Sequence, residues 1–205
     1  MLSILILNYE YPPLGGGAGI VSKHLAEEFV KAGNHVTILT TWYAGEATYY
    51  TENNLTIIRL ASKRKKTYES NPIEMYDWIL KSKAYIKNTF KEQLPFDVCL
   101  ANFALPGGEV ALFLKKKYNL PYIVLSHGHD IPWAFPKKML LWHSLTYFKI
   151  KKICSESSYN ILLSKEIKQM ADKLINNDKK NIVFYNGLYV DKIKNTLYDD
   201  KLKII

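Results

Sequence analysis

The pattern of apolar and polar positions alternates between two periods along most of the chain. Ser3-Ile4-Leu5-Ile6-Leu7 is a continuous apolar run that ends at Asn8 and at a Tyr11-Pro12-Pro13 breaker. An unbroken run of this kind predicts a strand covered by helices on both faces, as in a parallel sheet. Gly15-Gly16-Gly17-Ala18-Gly19 follows, and then Val21, Leu25, Ala26, Phe29 and Val30 recur at helical spacing up to a stop at Gly33. His35–Thr40 is β-branched and apolar and predicts a second strand, which completes a βαβ unit. Further strands are predicted at Leu55–Leu60, Phe96–Leu100, Pro121–Ser126, Asn160–Leu163 and Asn181–Tyr185. Helices are predicted at Ile73–Leu94, Gly108–Tyr118, Lys137–Ile153 and Lys165–Ile175. The fold class that follows is α/β, a doubly wound, mostly parallel, Rossmann-like sheet. Residues 61–70 are polar and basic and predict a mobile, solvated loop. No repeat or linker divides residues 1–185.

Composition narrows the picture. The chain has 205 residues, 48% hydrophobic and 23% charged, so global disorder and fibrous repeats are excluded. Lys and Arg number 28 against 19 Asp and Glu, a net charge of +9, which points to anionic partners without choosing among them. The two cysteines, Cys99 and Cys154, lack a Cys-x-x-Cys partner, which argues against a disulfide framework or a cysteine zinc site and fits a reducing compartment. No secretory leader and no apolar run of membrane-spanning length is present, so a cytoplasmic protein is expected, with the cytoplasmic membrane face as a peripheral location.

The candidate chemistry lies at the turn after the first strand. In a parallel sheet ligands bind at the carboxyl ends of the strands. Glycines there let the backbone approach a ligand, and the helix that follows aims free N–H groups and a positive dipole end at the same spot. Phosphate is the natural guest. The dinucleotide fingerprint is absent, because Ile20 stands where its third glycine belongs and Thr40-Thr41 replaces the acidic residue for a ribose. No Gly-Lys-Ser/Thr follows, which excludes a P-loop. A sharp strand-to-helix turn with no ligand would also use these glycines.

The whole opening carries more. Tyr11-Pro12-Pro13, Gly16-Gly17-Ala18-Gly19, Leu25-Ala26 and Gly33-Asn34-His35-Val36-Thr37 resemble the start of retaining glycosyltransferases of the GT-B fold, carbohydrate-active family 4 in particular. Where the family runs Gly-His directly, Asn34 is either an insertion between Gly33 and His35 or a shift of the same turn. Ser126-His127-Gly128-His129-Asp130 resembles the family's His-Gly-x-Asp turn. Tyr185-Asn186-Gly187-Leu188-Tyr189-Val190-Asp191 resembles its Pro-Asn-Gly-Val-Asp segment, with Tyr185 in place of the proline and two residues more, Leu188 and Tyr189, where valine usually stands alone. The resemblance implies an acceptor-side domain over 1–195, followed at 196–205 by a linker or the first strand of a donor domain that lies beyond this chain. It implies a nucleotide-diphosphate sugar as donor and a sugar, glycan or lipid-linked acceptor, with no cofactor and no metal. By the same resemblance Gly16, Gly17 and Gly19 would meet the donor diphosphate. His127 would be the catalytic candidate beside the transferred sugar. Asn8, Tyr11, Asp130 and Asn186 would serve the acceptor or sugar, with Asp130 alternatively holding its turn. The chain alone is expected to be inactive. Two other readings share the pattern: a non-catalytic binding module that docks a separate donor-domain partner, and half of a GT-B epimerase.

Other marked residues have plainer readings. His24 and His143 fall in helical patterns and read as surface or packing residues. His129 reads as solvent-facing or acceptor-side. Lys63-Arg64-Lys65-Lys66 lacks interleaved aromatics, so nucleic acid is not an expected partner. Trp133–Ile153 mixes aromatic and basic residues, which fits a helix at an anionic membrane surface and equally a half-buried helix over the sheet edge.

Overall fold

The computed structural model describes residues 1–132 and 136–187, with the side chains of 136–140 and of 178 left aside. The calls on 196–205, and on the residues from Leu188 to Asp191, lie outside the described residues. Eight strands form one sheet: β1 (Ser3–Leu7), β2 (His35–Thr41), β3 (Tyr49–Glu52), β4 (Leu55–Leu60), β5 (Val98–Asn102), β6 (Tyr122–Ser126), β7 (Tyr159–Leu162) and β8 (Asn181–Val183). Among the described residues five α-helices join them: α1 (Gly17–Lys31), α2 (Pro72–Phe90), α3 (Gly108–Tyr118), α4 (Pro136–Glu156) and α5 (Lys165–Ile175). The order across the sheet is β3-β4-β2-β1-β5-β6-β7-β8, and every pairing is parallel except β3 with β4.

That order fixes the layers. The chain moves from β1 outward to β2 and β4, then returns past β1 to β5 and continues the other way. Parallel crossovers are right-handed, so reversing the direction of travel puts the helices on opposite faces. Leu5, Leu7, Cys99, Ala101, Tyr122 and Val124 pack accordingly against a core that includes Trp78, Ile86, Val110, Leu114, Ile150 and Ile153 from α2, α3 and α4. The alternate positions Ile4, Ile6, Ile38, Leu100 and Leu125 turn to α1 and meet Ala26, Val21, Leu25 and Phe29. Both strand faces are therefore apolar, which is why β1 reads as an unbroken run and not as an alternation.

Helix ends follow local chemistry. Asn71 caps α2 by accepting from Ile73 and Glu74 amides, and the Glu74 carboxylate accepts from the Asn71 amide, a reciprocal box that starts the helix at Pro72. Ser164 caps α5, and Asn119 and Asn176 close α3 and α5 in the left-handed conformation.

The expected strands and helices are all present with ends shifted by a few residues. The short strand β3 was not foreseen. It is wholly exposed and turns back on β4 through Asn53 and Asn54, both at positive φ. The loop 61–70 also departs from expectation. It has no regular structure, but Arg64 is buried and donates to the carbonyls of Lys66 and Thr67 at 2.8 and 2.7 Å. Its guanidinium lies 4.9 Å from the centre of the Tyr9 ring and 3.6 Å from the Glu10 carboxylate. Nε and one terminal nitrogen of this buried cation are satisfied by the carbonyls, while the other terminal nitrogen has no hydrogen-bond partner and is left with the ion pair to Glu10 alone.

Candidate functional site

The switch in winding direction falls between β1 and β5, where the connections leave in opposite directions, the position at which open parallel sheets place a ligand crevice. The β1 connection carries the glycines. Gly15 sits at φ +84°, and its amide donates to the Thr67 carbonyl at 2.9 Å, so the basic loop braces the glycine turn. Gly16 precedes α1 with no side-chain cap and no acidic residue in the first turn. Helical geometry supplies no acceptor for the amides of Gly17 and Ala18. A Cβ built at Gly16 or Gly17 meets nothing within 4 Å. These two positions face open space, and the helix start presents unshared donors and a positive dipole end there. Gly19 is different: it is buried, and its Cβ would come to 3.2 Å from the Glu10 and Leu14 carbonyls, so it serves the packing of loop on helix.

A chain of hydrogen bonds crosses the crevice beneath this helix start. Asn8, just past β1, donates from Nδ2 to Ser22 Oγ of α1 at 2.7 Å and to the Ala18 carbonyl at 3.2 Å. Ser22 donates to Asn102 Oδ1, at the end of β5, at 3.0 Å. The same Oδ1 lies 3.0 Å from His127 Nε2, just past β6. Asn8, Ser22 and Asn102 are fully buried, so each must find partners within the protein. The network also assigns direction. Asn102 turns its amide nitrogen to the Leu7 carbonyl at 3.5 Å, which leaves its oxygen toward Ser22 and His127. That oxygen only accepts, so Nε2 of His127 carries the proton and Nδ1 keeps its lone pair. Burial draws His127 below the usual imidazole range, against the opposing pull of the Asp130 carboxylate. A neutral imidazole with its lone pair on Nδ1 results.

Asp130 holds the turn that carries this histidine. One carboxylate oxygen accepts from Ser126 Oγ at 2.8 Å and from the His127 amide at 3.1 Å; the other accepts from the Ala104 amide at 2.7 Å. The last bond ties the β6 turn to the turn Phe103–Gly107 after β5. Gly107 is required there, since a Cβ would fall 2.3 Å from the Asn102 carbonyl oxygen. The Phe103 ring packs against the His127 ring with centres 4.6 Å apart.

Gly16, Gly17, Asn8, His127 and Asp130 thus share one edge of the sheet. Asn8 is buried in the relay and Asp130 is committed to the turn. Tyr11 is buried with Arg59 stacked 6.0 Å from its ring centre, and burial pushes its hydroxyl up to about 12. Asn186 lies elsewhere, in a groove of about 700 Å³ on the α1 face, beside Phe184, Val21 and Leu25. His143 is a packing residue whose Nε2 lies 2.9 Å from the His129 carbonyl. Ser22 and Asn102 were not anticipated. A serine inside an apolar helical stripe and an asparagine ending an apolar strand were the only signals. Among the described residues no three His, Cys, Asp or Glu side chains converge to hold a metal, and no helix is long and apolar enough to cross a membrane.

An open parallel sheet with a glycine-rich helix start and a histidine turn at its switch point defines a Rossmann-like unit of the GT-B glycosyltransferase type. The model of Glycosyltransferase Family 4 matches residues 15–192, and the chain belongs to that family. Sucrose-phosphate synthase from Thermosynechococcus elongatus superposes with a TM-score of 0.69 at 15% identity, over 93% of this chain and 49% of that one. HepE from Anabaena, solved in complex with UDP and glucose, gives a TM-score of 0.62 at 13% identity, over 96% of this chain and 50% of that one. The chain therefore spans about half the length of these structures. A short stretch is similar to the UDP-N-acetyl-alpha-D-glucosaminuronate decarboxylase of Bacillus cytotoxicus, 46% identical over 48 residues, which is 22% of this chain and 15% of that protein.

Proposed function

We propose that this chain is the acceptor-side half of a retaining glycosyltransferase that moves a sugar from a nucleotide-diphosphate sugar to an acceptor hydroxyl. The observation that carries the reading is the joining of the open α1 start and His127 by one buried relay. A site for an anion and a site for a sugar hydroxyl are thereby held at fixed separation. In the reaction the bond from C1 to the diphosphate breaks with its electron pair on the phosphate oxygen. C1 bonds to the acceptor oxygen, and the acceptor proton passes to the departing diphosphate. The Gly17 and Ala18 amides stabilise the charge that grows on the diphosphate. His127 receives a hydroxyl hydrogen of the transferred sugar on Nδ1 and so orients the ring. The opposite wall of the crevice belongs to a donor domain, in keeping with relatives twice this length, and without it the chain binds donor weakly and transfers no sugar. No cofactor or metal enters this scheme.

Titration of the chain with UDP-glucose, ADP-glucose and GDP-mannose, followed by amide and imidazole NMR, tests the reading. Weak binding with shifts at Gly17, Ala18 and His127 is expected, and Gly17→Val, whose side chain fills the open space where the phosphate must approach, weakens it by about tenfold. Submicromolar affinity, or shifts confined to other surfaces, overturns it.

A further inference from the structure

The helix α4 carries a feature that the crevice does not use. Its inner face is buried through His143, Ile150, Ile153 and Cys154. Its outer face presents Leu141, Leu145 and Phe148, which are 76%, 76% and 82% exposed. Spacings of four and three residues align these side chains in one stripe along the helix. Three large apolar side chains in line on a surface are unusual for a domain that stays in water.

The stripe runs into a basic hollow. Phe148 forms one wall of a cavity of about 510 Å³ between α2, α3 and α4, lined also by Phe113 and by Lys83, Lys116, Lys117, Lys149 and Lys152, with Glu109 as its one acid. Five lysines against one glutamate give this hollow a formal +4 of the chain's +9. Glu109 serves two of the lysines, Lys83 at 2.7 Å and Lys149 at 3.1 Å. Lys116 and Lys152 instead crowd each other, which lowers the proton affinity of Lys116. Among the described residues no carboxylate lies within ion-pair distance of Lys116, Lys117 or Lys152. Lys87 adds another cation over the Phe113 ring at 5.4 Å. Like charges gathered in excess of the nearby acids cost stability in the free protein, and they are relieved by an anionic surface.

We propose that this face of α4 docks on an anionic lipid bilayer, with Leu141, Leu145 and Phe148 in the headgroup layer and the lysines of the hollow on the lipid phosphates. An apolar stripe flanked by cations is the chemistry of an interfacial helix. A soluble anion would satisfy the lysines and leave the stripe in water; an apolar protein partner would satisfy the stripe and strand the lysines. The inference goes beyond the glycosyltransferase reading and stands without it.

Co-sedimentation of the chain with vesicles of phosphatidylcholine alone or mixed with phosphatidylglycerol tests it. Pelleting with the mixed vesicles at low salt is expected, with little on phosphatidylcholine alone and a sharp fall at high salt. Phe148→Asp and the pair Lys116→Glu with Lys152→Glu each reduce the bound fraction by about tenfold. All three positions are exposed, so circular dichroism and the melting temperature stay unchanged and loss of fold is separated from loss of docking. No pelleting on anionic vesicles at low salt overturns the proposal. So does binding that ignores both variants, or a concentration-dependent dimer in sedimentation that Phe148→Asp abolishes, which would assign the stripe to a second copy of the chain.

Discussion

Replacing Asn102 by Ala offers the sharpest test of the relay. The substitution removes the one acceptor shared by Ser22 Oγ and His127 Nε2, and the amide that faces the Leu7 carbonyl. Ser22 is fully buried and keeps no other acceptor for its proton, so it bears a full desolvation penalty of about 1–3 kcal/mol. His127 is only partly buried, so its share is smaller, about 0.5–1 kcal/mol. The sum is about 2–4 kcal/mol. Ser22→Ala gives a different balance. Asn8 keeps the Ala18 carbonyl and Asn102 keeps His127, so no partner is orphaned and the loss is about 1 kcal/mol or less. In the double variant the stranded hydroxyl no longer exists. The two losses are then less than additive, with a coupling of about 1 kcal/mol or more. Urea unfolding followed by tryptophan fluorescence reads all four corners of this cycle. Equal single-variant losses with strict additivity would show that the four side chains are neighbours and not a chain of mutual dependence.

Four further outcomes follow from the same geometry. Gly107→Ala places a methyl against the Asn102 backbone and costs about 3 kcal/mol or more, whereas Gly17→Ala meets open space inside a helix and leaves stability unchanged or raises it by about 0.5–1 kcal/mol; urea midpoints rank the two. His127 is held below its unfolded value, so the unfolded chain binds the extra proton first. Stability therefore falls as pH drops through about 6.5 toward the folded value and is flat above it, and His127→Gln reduces that slope in chemical unfolding at stepped pH. Cys99 and Cys154 are buried thiols whose proton affinity burial raises, so a disulfide reagent such as dithiobis-nitrobenzoate labels neither in the native chain and both after unfolding; fast native labelling would contradict their burial. Arg64→Ala removes the guanidinium that joins the loop carbonyls to Tyr9 and Glu10, costs about 2–4 kcal/mol, and loosens the bracing of Gly15 by Thr67, read as faster amide exchange at Gly15.

The period of apolar residues made the sheet legible, because buried parallel strands announce themselves as runs such as Ile4–Leu7 and Val124–Ser126. The edge strand β3 escaped, since Tyr49–Glu52 buries nothing and is held by backbone pairing and one exposed Thr51–Thr56 hydroxyl contact. The glycine turn and the His127 turn were visible as motifs. What each glycine does was not. Gly16 and Gly17 face outward while Gly19 packs inward, and that distinction depends on the approach of the Glu10 and Leu14 carbonyls. The relay was invisible for a related reason. Asn8, Ser22, Asn102 and His127 are scattered through the sequence, and only the β1–β5 and β5–β6 pairings bring them together. Arg64 misled because a run of four basic residues normally marks solvent, and the carbonyls that receive it belong to its own turn.

The central place of β1 in the sheet has a consequence for synthesis. Its second edge is sealed only when β5 arrives, as the bond from the Ser3 amide to Asp97, 94 residues away, records. At a translation rate of about 5–20 residues per second, an apolar strand near the start of the chain waits about 5–20 s on the ribosome with one side unpaired. Over that interval α1 and β2, and later α2 through Trp78 and Ile86, are the neighbours made early enough to shield it, and early stability in the β1-α1-β2 unit favours escape of the nascent chain from aggregation.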